Sequence, residues 1–224
     1  MSKAAKWQDW ASFALGLWLA VSRRTSAGPS RSFAVTFAAM FTGIVQAVGR
    51  IVRVDPLEVD CGGLDMGDVA VGDSICVQGV CLTVTALTRR GFTADVSAET
   101  RRVTAGLERA GEVNLEKSLA LGDKLGGHLV AGHVDGVGEV LHFENGIARI
   151  KAAKDLARYI ARKGSITIDG VSLTVNRVDG ETFEVQLIPH TLKVTTLGRL
   201  KPGAKVNLEA DLVARYVERL LPGG

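Results

Sequence analysis

The chain contains 224 residues, of which 46% are hydrophobic and 5% aromatic, and it carries a formal net charge of +3. Residues 1–39 alone carry +4, so the rest of the chain is nearly neutral and lacks a basic stripe, which argues against a nucleic-acid-binding protein. The three cysteines have no metal-ligand spacing, which argues against a structural zinc site with its roughly four ligands and favours reduced thiols in a cytoplasmic protein.

Residues 1–39 differ from the rest of the chain, since they contain all three tryptophans. The apolar run from Ala11 to Val21 is shorter than the roughly 20 residues that a helix needs to span a bilayer. A basic start, a short apolar run and a Ser-Ala-Gly segment resemble a signal peptide, and the run would also suit an amphipathic helix that touches a membrane. We expect instead a disordered extension or a mis-called start, with Met40 as the working first residue and no stable membrane span.

The region after Met40 contains one stretch twice. Residues 72–85 and 163–176 match at a constant offset of 91. The identical pairs are Ser74/Ser165, Ile75/Ile166, Gly79/Gly170, Val80/Val171, Leu82/Leu173, Thr83/Thr174 and Val84/Val175. In each copy two β-rich runs flank a turn at Gly79 or Gly170, and this pattern predicts a β-hairpin.

Further matches extend the repeat in both directions. Residues 43–49 and 132–138 share the pattern G-x-V-x-x-V-G, and residues 113–116 and 206–209 both read Val-Asn-Leu-Glu. The period is much longer than that of solenoid repeats, so each copy is predicted to be a domain rather than one unit of an array.

We therefore predict one β domain over residues 40–127, a second over residues 128–210, and a C-terminal helix and tail over residues 211–224. The helix carries its apolar residues as one narrow stripe, formed by Leu212, Val213, Tyr216, Val217, Leu220 and Leu221. So short a helix is marginal alone and needs a partner surface, which is either its own domain or another subunit.

The duplicated hairpin places two small polar side chains side by side in each copy. Residues two apart on a strand share a face, so Cys81 and Thr83 point one way while Leu82 points into the core. Ser172 and Thr174 form the matching pair in the second copy. This recurrence favours a binding face over a solvated strand face, and the exchange of cysteine for serine suits two similar ligands that play different parts. Neutral drift after duplication is the alternative explanation.

Two histidines lie five residues apart, at His128 and His133. On a regular strand an odd spacing places them on opposite sides, so only one is expected to reach a given site. His133 lies inside the repeated G-x-V pattern, and an imidazole that titrates near neutral pH suits proton transfer. We therefore select His133 as the functional histidine.

The motifs together resemble the riboflavin synthase family. They are Met40-Phe41-Thr42-Gly43-Ile44-Val45, Gly-Val-Cys-Leu-Thr-Val-Thr from Gly79, Gly-Gly-His-Leu-Val-Ala-Gly-His-Val-Asp-Gly from Gly126, Gly-Val-Ser-Leu-Thr-Val from Gly170 and Leu-Ile-Pro-His-Thr-Leu from Leu187. The resemblance implies an all-β fold of two tandem, similar, six-stranded Greek-key-type barrels with a C-terminal oligomerisation helix, assembled as a homotrimer.

The resemblance also implies the function. Such an enzyme dismutates two molecules of 6,7-dimethyl-8-ribityllumazine into riboflavin and 5-amino-6-(D-ribitylamino)uracil, the final step of riboflavin biosynthesis, without metal or organic cofactor. Each site would hold two lumazines between barrels of neighbouring subunits, and lumazine synthase is a possible further partner. The alternative is a non-catalytic, antenna-type protein that binds lumazine or flavin. No Gly-rich dinucleotide fingerprint supports a flavin-reductase-like enzyme.

Carried onto this sequence, the resemblance assigns substrate binding to eight groups of residues. They are Gly43, Ile44 and Val45; Cys81, Leu82 and Thr83; Asp95, Val96 and Ser97; Ala98, Glu99 and Thr100; Gly132, His133 and Val134; Lys163; Ser172, Leu173 and Thr174; and Leu187, Ile188, Pro189, His190, Thr191 and Leu192. We expect Ser172, Thr174 and His133 to assist proton movement and Cys81 to lie beside the acceptor lumazine.

Overall fold

The structure, a computed structural model, describes residues 40–221. The predictions for residues 1–39 therefore lie outside the described residues. The strands are β1 (Ala47–Val54), β2 (Leu57–Asp60), β3 (Ser74–Val77), β4 (Val80–Leu87), β5 (Gly91–Ala94), β6 (Gly111–Lys117), β7 (Gly136–Glu144), β8 (Ile147–Lys151), β9 (Ser165–Ile168), β10 (Val171–Asp179), β11 (Thr182–Gln186) and β12 (Lys205–Ala210). The helices are α1 (Ala98–Val103), α2 (Lys154–Ala157), α3 (Pro189–Val194) and α4 (Leu212–Leu220), with a 3₁₀ turn at Thr196–Arg199.

The strands form two closed barrels of six strands each. The first has the order β1-β2-β5-β4-β3-β6 and the second the order β7-β8-β11-β10-β9-β12, so every strand has the same neighbours in both copies. All pairings are antiparallel. The prediction of two tandem six-stranded barrels is confirmed.

Each barrel is filled by the inward-facing residues of its own strands. On β4 and β10 the buried residues alternate with exposed ones, as the period of two requires. Leu82 and Val84 lie in the first core, and Leu173 and Val175 in the second. Burying one such side chain contributes roughly 1.5–3 kcal/mol, so this alternation fixes the register and leaves Cys81, Thr83, Ser172 and Thr174 on the outer face.

The tips of the two repeated hairpins contact each other where the barrels meet. A Cβ atom on Gly79 would lie 2.9 Å from the backbone nitrogen of Gly170, and both glycines have positive φ. Asn114 of β6 donates to the carbonyl of Asp169, and Asn207 of β12 donates to the carbonyl of Gln78, at 2.8 and 2.9 Å. The barrels are therefore joined by matched hydrogen bonds, with each copy repeating the contact of the other.

Helix α4 begins after Asp211, whose carboxylate accepts from the Val213 N–H at 3.0 Å. Its apolar stripe faces away from the barrels, because Val213, Tyr216 and Leu220 are 59%, 63% and 83% exposed. The polar side carries Glu218, which pairs with Arg158 at 2.5 Å. The alternative that the stripe packs on its own barrel is therefore wrong. Within residues 40–221, no helix is long and apolar enough to cross a membrane.

Candidate functional site

Two short segments each contact the barrel to which they do not belong. The first crossing segment (residues 41–46) precedes β1, and the second crossing segment (residues 130–135) precedes β7. They pair with each other antiparallel, because Phe41 and Val130 exchange both backbone hydrogen bonds, at 2.7 and 3.0 Å. This pairing places each segment beside the barrel to which it does not belong.

The repeated glycines make the contact with the opposite barrel. The Gly43 carbonyl accepts from the Ser172 N–H at 2.8 Å, and the Gly132 carbonyl accepts from the Cys81 N–H at 2.9 Å. A Cβ atom at Gly43 would lie 2.6 Å from Cβ of Ser172, and one at Gly132 would lie 2.7 Å from Cβ of Cys81. Only glycine permits this approach, and both residues also have φ near +75°.

Side-chain packing follows the same crossed pattern. Val45 of the first crossing segment packs against the core of the second barrel, and Val134 of the second packs against the core of the first. Each candidate site therefore combines one crossing segment with the hairpin of the opposite barrel. We name them the Cys81 site, which includes Gly132–Val134, and the Ser172 site, which includes Gly43–Val45.

The remaining sequence-predicted residues distribute between these two sites. In the β4–β5 pairing, Val84 lies opposite Ala94, so Asp95 leaves the sheet beside Thr83 and the chain continues into α1. In the β10–β11 pairing, Val175 lies opposite Val185, and β11 ends at Gln186, so Leu187 leaves the sheet one residue later than in the first copy and the chain continues into α3. The stretch from Asp95 to Thr100 thus joins the Cys81 site, and Leu187–Leu192 joins the Ser172 site.

Burial decides whether the side chain or only the backbone of a predicted residue could contact a ligand. The side chains of Leu82, Leu173 and Leu187 lie in the barrel cores, so only their backbone groups could face a ligand. The exposed members are Ile44, Thr83, Asp95, Ser97, Ala98, Glu99, His133, Lys163, Thr174, Ile188, Pro189 and His190. Ser97 caps α1, where its hydroxyl accepts from the Thr100 N–H at 3.0 Å and lies 2.9 Å from the Thr100 hydroxyl.

The Ser172 site contains a residue that the sequence reasoning assigned no function. His128 is buried, with its Nδ1 atom 2.7 Å from the Ser172 hydroxyl and its Nε2 atom 3.3 Å from the Thr167 hydroxyl. Burial lowers the pKa of His128, and the carboxylate of Asp211 opposes this shift. The imidazole is therefore neutral at neutral pH, and in the tautomer with its proton on Nε2 its Nδ1 atom is able to accept a proton from Ser172. His133, the histidine selected from sequence, has an exposed side chain in the Cys81 site.

The Cys81 site differs in its polar partner. Burial raises the pKa of the Cys81 thiol, a hydrogen bond with Ser74 opposes that shift, and the Glu209 carboxylate adds to it. Cys81 therefore remains a protonated thiol at neutral pH and is not primed as a nucleophile. The two sites share one backbone frame but offer a serine–histidine pair in one and a neutral thiol in the other.

Two buried glutamates hold the crossing segments, and the sequence identified them only as part of the Val-Asn-Leu-Glu repeat. Glu116 accepts from the Thr42 and Gly43 N–H groups at 2.7 and 3.0 Å. Glu209 accepts from the Ala131 and Gly132 N–H groups at the same two distances. Across residues 40–221, no group of three or more His, Cys, Asp or Glu side chains could hold a metal ion.

Comparison with known proteins identifies the repeated domain. The lumazine binding domain family matches the chain twice, over residues 42–118 and 131–211. Both matches begin in a crossing segment and extend to the closing strand of a barrel.

Several relatives named riboflavin synthase match most of the chain. The chain is 48% identical over 200 residues to riboflavin synthase of Mycobacterium bovis, covering 81% of this chain and 98% of that one. It is 44% identical over 194 residues to riboflavin synthase of Photobacterium phosphoreum, covering 81% and 89%. The corresponding protein of Bacillus subtilis is 39% identical over 194 residues, covering 81% and 90%.

Solved structures of LumP share the fold at lower identity. LumP complexed with riboflavin superposes with a TM-score of 0.67 at 27% identity, covering 76% of this chain and 98% of that one. LumP complexed with 6,7-dimethyl-8-(1'-D-ribityl) lumazine gives 0.65 at 25% identity with the same coverage.

Proposed function

We propose a reaction for the two sites, and it starts from the family of the protein. The chain belongs to the riboflavin synthase family. It functions in riboflavin biosynthesis as a riboflavin synthase. Our proposal is that it acts as a transferase, in which one 6,7-dimethyl-8-ribityllumazine gives a four-carbon unit to another. The products are riboflavin and 5-amino-6-(D-ribitylamino)uracil.

The observation that carries this proposal is the pair of sites with one backbone frame and different polar groups. A dismutation needs two copies of one substrate to be recognised alike and then treated differently. The crossed glycines supply the same backbone approach to both molecules. Cys81 and the His128–Ser172 pair supply the difference.

The protein has little demanding chemistry to provide. The C7 methyl group of the lumazine is acidic because its anion delocalises into the ring. In our proposal neutral His128 accepts a proton through Ser172, with Thr174 and His133 assisting proton movement, and Cys81 lies beside the acceptor. Holding two lumazines in reacting geometry is the main contribution, and this proximity effect supplies at most about 7–11 kcal/mol.

The residues that we propose for substrate binding are those of the two sites. Backbone groups of Gly43–Val45 and Gly132–Val134 would pair with the edge of the heterocycle. The hydroxyls of Thr83, Thr100, Thr174 and Thr191 would serve the ribityl chains. No metal or organic cofactor has a part in the proposed reaction.

We also propose that the working form is a homotrimer. The exposed stripe on α4 needs a partner surface, and both candidate sites open to the outside of their barrels. A site formed between the first barrel of one chain and the second barrel of a neighbour would bring the two lumazines together. The three free thiols fit a cytoplasmic location, and we propose lumazine synthase as a further partner.

A second candidate function is non-catalytic binding of lumazine or flavin, as in the LumP complexes. The intact His128–Ser172 pair and the higher identity to riboflavin synthases favour the enzyme.

The test uses the full-length chain with 6,7-dimethyl-8-ribityllumazine and no added cofactor, following riboflavin by absorbance. We expect one riboflavin for every two lumazines consumed. Tight binding of lumazine without turnover, in an assembled oligomer, would instead establish the binding protein.

A further inference from the structure

Glu116 and Glu209 occupy matched positions on β6 and β12, each at the end of a Val-Asn-Leu-Glu repeat. Both are almost completely buried. A buried carboxylate is costly unless charges or hydrogen bonds compensate it. Within the described part of the chain neither glutamate forms an ion pair, so backbone N–H groups of the crossing segments provide the compensation.

The titratable groups that face these carboxylates are thiols. Cys76 of β3 lies opposite Glu116 on β6, and both glutamates raise the pKa of the Cys76 thiol. Glu209 also raises the pKa of Cys81 on β4. On its own barrel, Glu209 lies opposite the neutral Thr167 of β9. No cation among these neighbours competes for the carboxylates, so each glutamate is available to bind its crossing segment.

Each glutamate holds a segment whose next contact is in the other barrel. Glu209 belongs to the second barrel and fixes Gly132, whose carbonyl binds the N–H of Cys81 in the first. Glu116 belongs to the first barrel and fixes Gly43, whose carbonyl binds the N–H of Ser172 in the second.

We propose that Glu116 and Glu209 are positioning residues that act crosswise, so that Glu209 of the second barrel orders the Cys81 site and Glu116 of the first barrel orders the Ser172 site. The inference concerns the geometry of both sites, and it rests on the proposed function only for the identity of the ligand.

The two glutamates differ by one hydrogen-bond donor. The Thr42 hydroxyl donates to Glu116 at 2.7 Å, whereas the matched residue in the second copy is Ala131, which has no side-chain donor. Burial raises the pKa of both carboxyls, and it raises that of Glu209 to about 7. When Glu209 gains a proton, one of its oxygens becomes a donor and loses its role as a strong acceptor for the segment. Acidification through about pH 7 therefore loosens the Cys81 site before the Ser172 site, whose glutamate has the additional Thr42 donor.

The first test measures alkylation of Cys81 by iodoacetamide in the full-length protein at pH 9, with each cysteine quantified by mass spectrometry. Glu209→Gln places an amide against two N–H donors, so we expect Cys81 to react about tenfold faster, the effect of losing roughly one such hydrogen bond. Because the Glu209 charge itself raises the pKa of Cys81, Glu209→Asp is the second variant: it keeps the charge but shortens the side chain, and it should also expose Cys81.

Glu116→Gln is the matched control and should leave the Cys81 rate unchanged, although Glu116 is in the same barrel as Cys81. Cys61, which lies in the first core, reports on general loosening and should stay unreactive in all three variants. An equal rise in the Glu116 and Glu209 variants, or labelling of Cys61 together with Cys81, would overturn the crossed assignment. The labelling needs no ligand, so a protein that binds no lumazine would refute the proposed function and leave this test intact.

The second test adds or removes the donor that distinguishes the copies. Ala131→Thr should lower the pH at which the Cys81 site loses its affinity for lumazine. Thr42→Ala should make the Ser172 site lose affinity for lumazine on acidification as well. Unchanged pH profiles in both variants would contradict the role of the donor.

Discussion

The two barrels have the same strand order, the same hairpin and the same crossed contact, yet they differ in a few polar groups. Several residues that agree between the copies meet a packing or backbone requirement, as Gly43 and Gly132 do against the opposite hairpin. Two of the polar differences face a candidate site or the contact between the barrels. Cys81 corresponds to Ser172, and Gln78 corresponds to Asp169. Duplication thus preserved the frame and left the chemistry of the two sites free to diverge.

The largest effect is expected from blocking one site at a time. Gly43→Val should close the Ser172 site and Gly132→Val the Cys81 site, because each new side chain would overlap the opposite hairpin. We expect riboflavin formation to fall more than about 100-fold in either variant, since small displacements of reacting groups have effects of that size. Equilibrium dialysis should show that each chain loses one of its two lumazines.

Gly106→Val is the control for these variants, because Gly106 also has positive φ but an added Cβ would meet no neighbour within 4 Å. It carries similar backbone strain without the overlap and should keep both lumazines. If Gly43→Val and Gly132→Val each still bound two lumazines, the sites would not be built as described.

The next largest effects on turnover are expected from replacing the polar groups that differ between the two sites. Ser172→Ala should slow turnover by about 100-fold or more, the range of general acid–base catalysis, while lumazine affinity changes little. His128→Gln should behave similarly, because it removes the group that accepts the proton. Cys81→Ala should have a smaller effect on turnover, since this thiol is neutral. Equal losses of turnover and affinity in Ser172→Ala would argue for a binding role alone.

The last comparison concerns the stability of the fold rather than its activity, and it involves Asp169 and its neutral counterpart, Gln78. Burial raises the pKa of Asp169 to about 7, so the folded protein binds this proton more tightly than the unfolded chain does. Its contribution to stability is therefore complete below about pH 4 and is lost as the pH rises towards 7, which amounts to ~2–4 kcal/mol.

Asp169→Asn should accordingly raise the free energy of unfolding at pH 8 by up to that amount and reduce the dependence of stability on pH. Gln78→Glu places an acid at the matched position in the first barrel and should steepen that dependence. Denaturant unfolding at pH 5 and pH 8 checks both. A wild-type stability that rises between these pH values would contradict the predicted direction of the effect.

Much of this structure follows from the sequence because local patterns encode it. The offset of 91 predicts two equal domains, and the period of two on the hairpin separates Leu82 from Cys81 and Thr83 correctly. The resemblance between Gly43–Gly49 and Gly132–Gly138 marks both crossing segments, whose glycines do approach another strand closely. These inferences use only neighbouring residues and a comparison of the chain with itself.

The crossing itself is not encoded locally. The pairing of Gly43 with Ser172 joins residues far apart in the chain, so the sequence did not indicate which hairpin meets which segment. The sequence did not predict the contact between His128 and Ser172, because residues 128–135 are mostly irregular, with only Val130 in a β-bridge, and the alternation of a regular strand does not apply. The roles of Glu116 and Glu209 are not local either, because the N–H groups that they bind lie 73–78 residues away in the chain.

Complementation between the two glycine variants tests most directly whether the Cys81 site of one chain works together with the Ser172 site of another. Full-length Gly43→Val and Gly132→Val chains with different affinity tags are co-expressed, and oligomers that contain both are isolated through the two tags in turn. In these oligomers an intact Cys81 site of one chain can meet an intact Ser172 site of another, so we predict riboflavin formation well above that of either parent. Mixed oligomers that assemble and bind lumazine but form no riboflavin would contradict the account, because the two sites would then have to act within one chain.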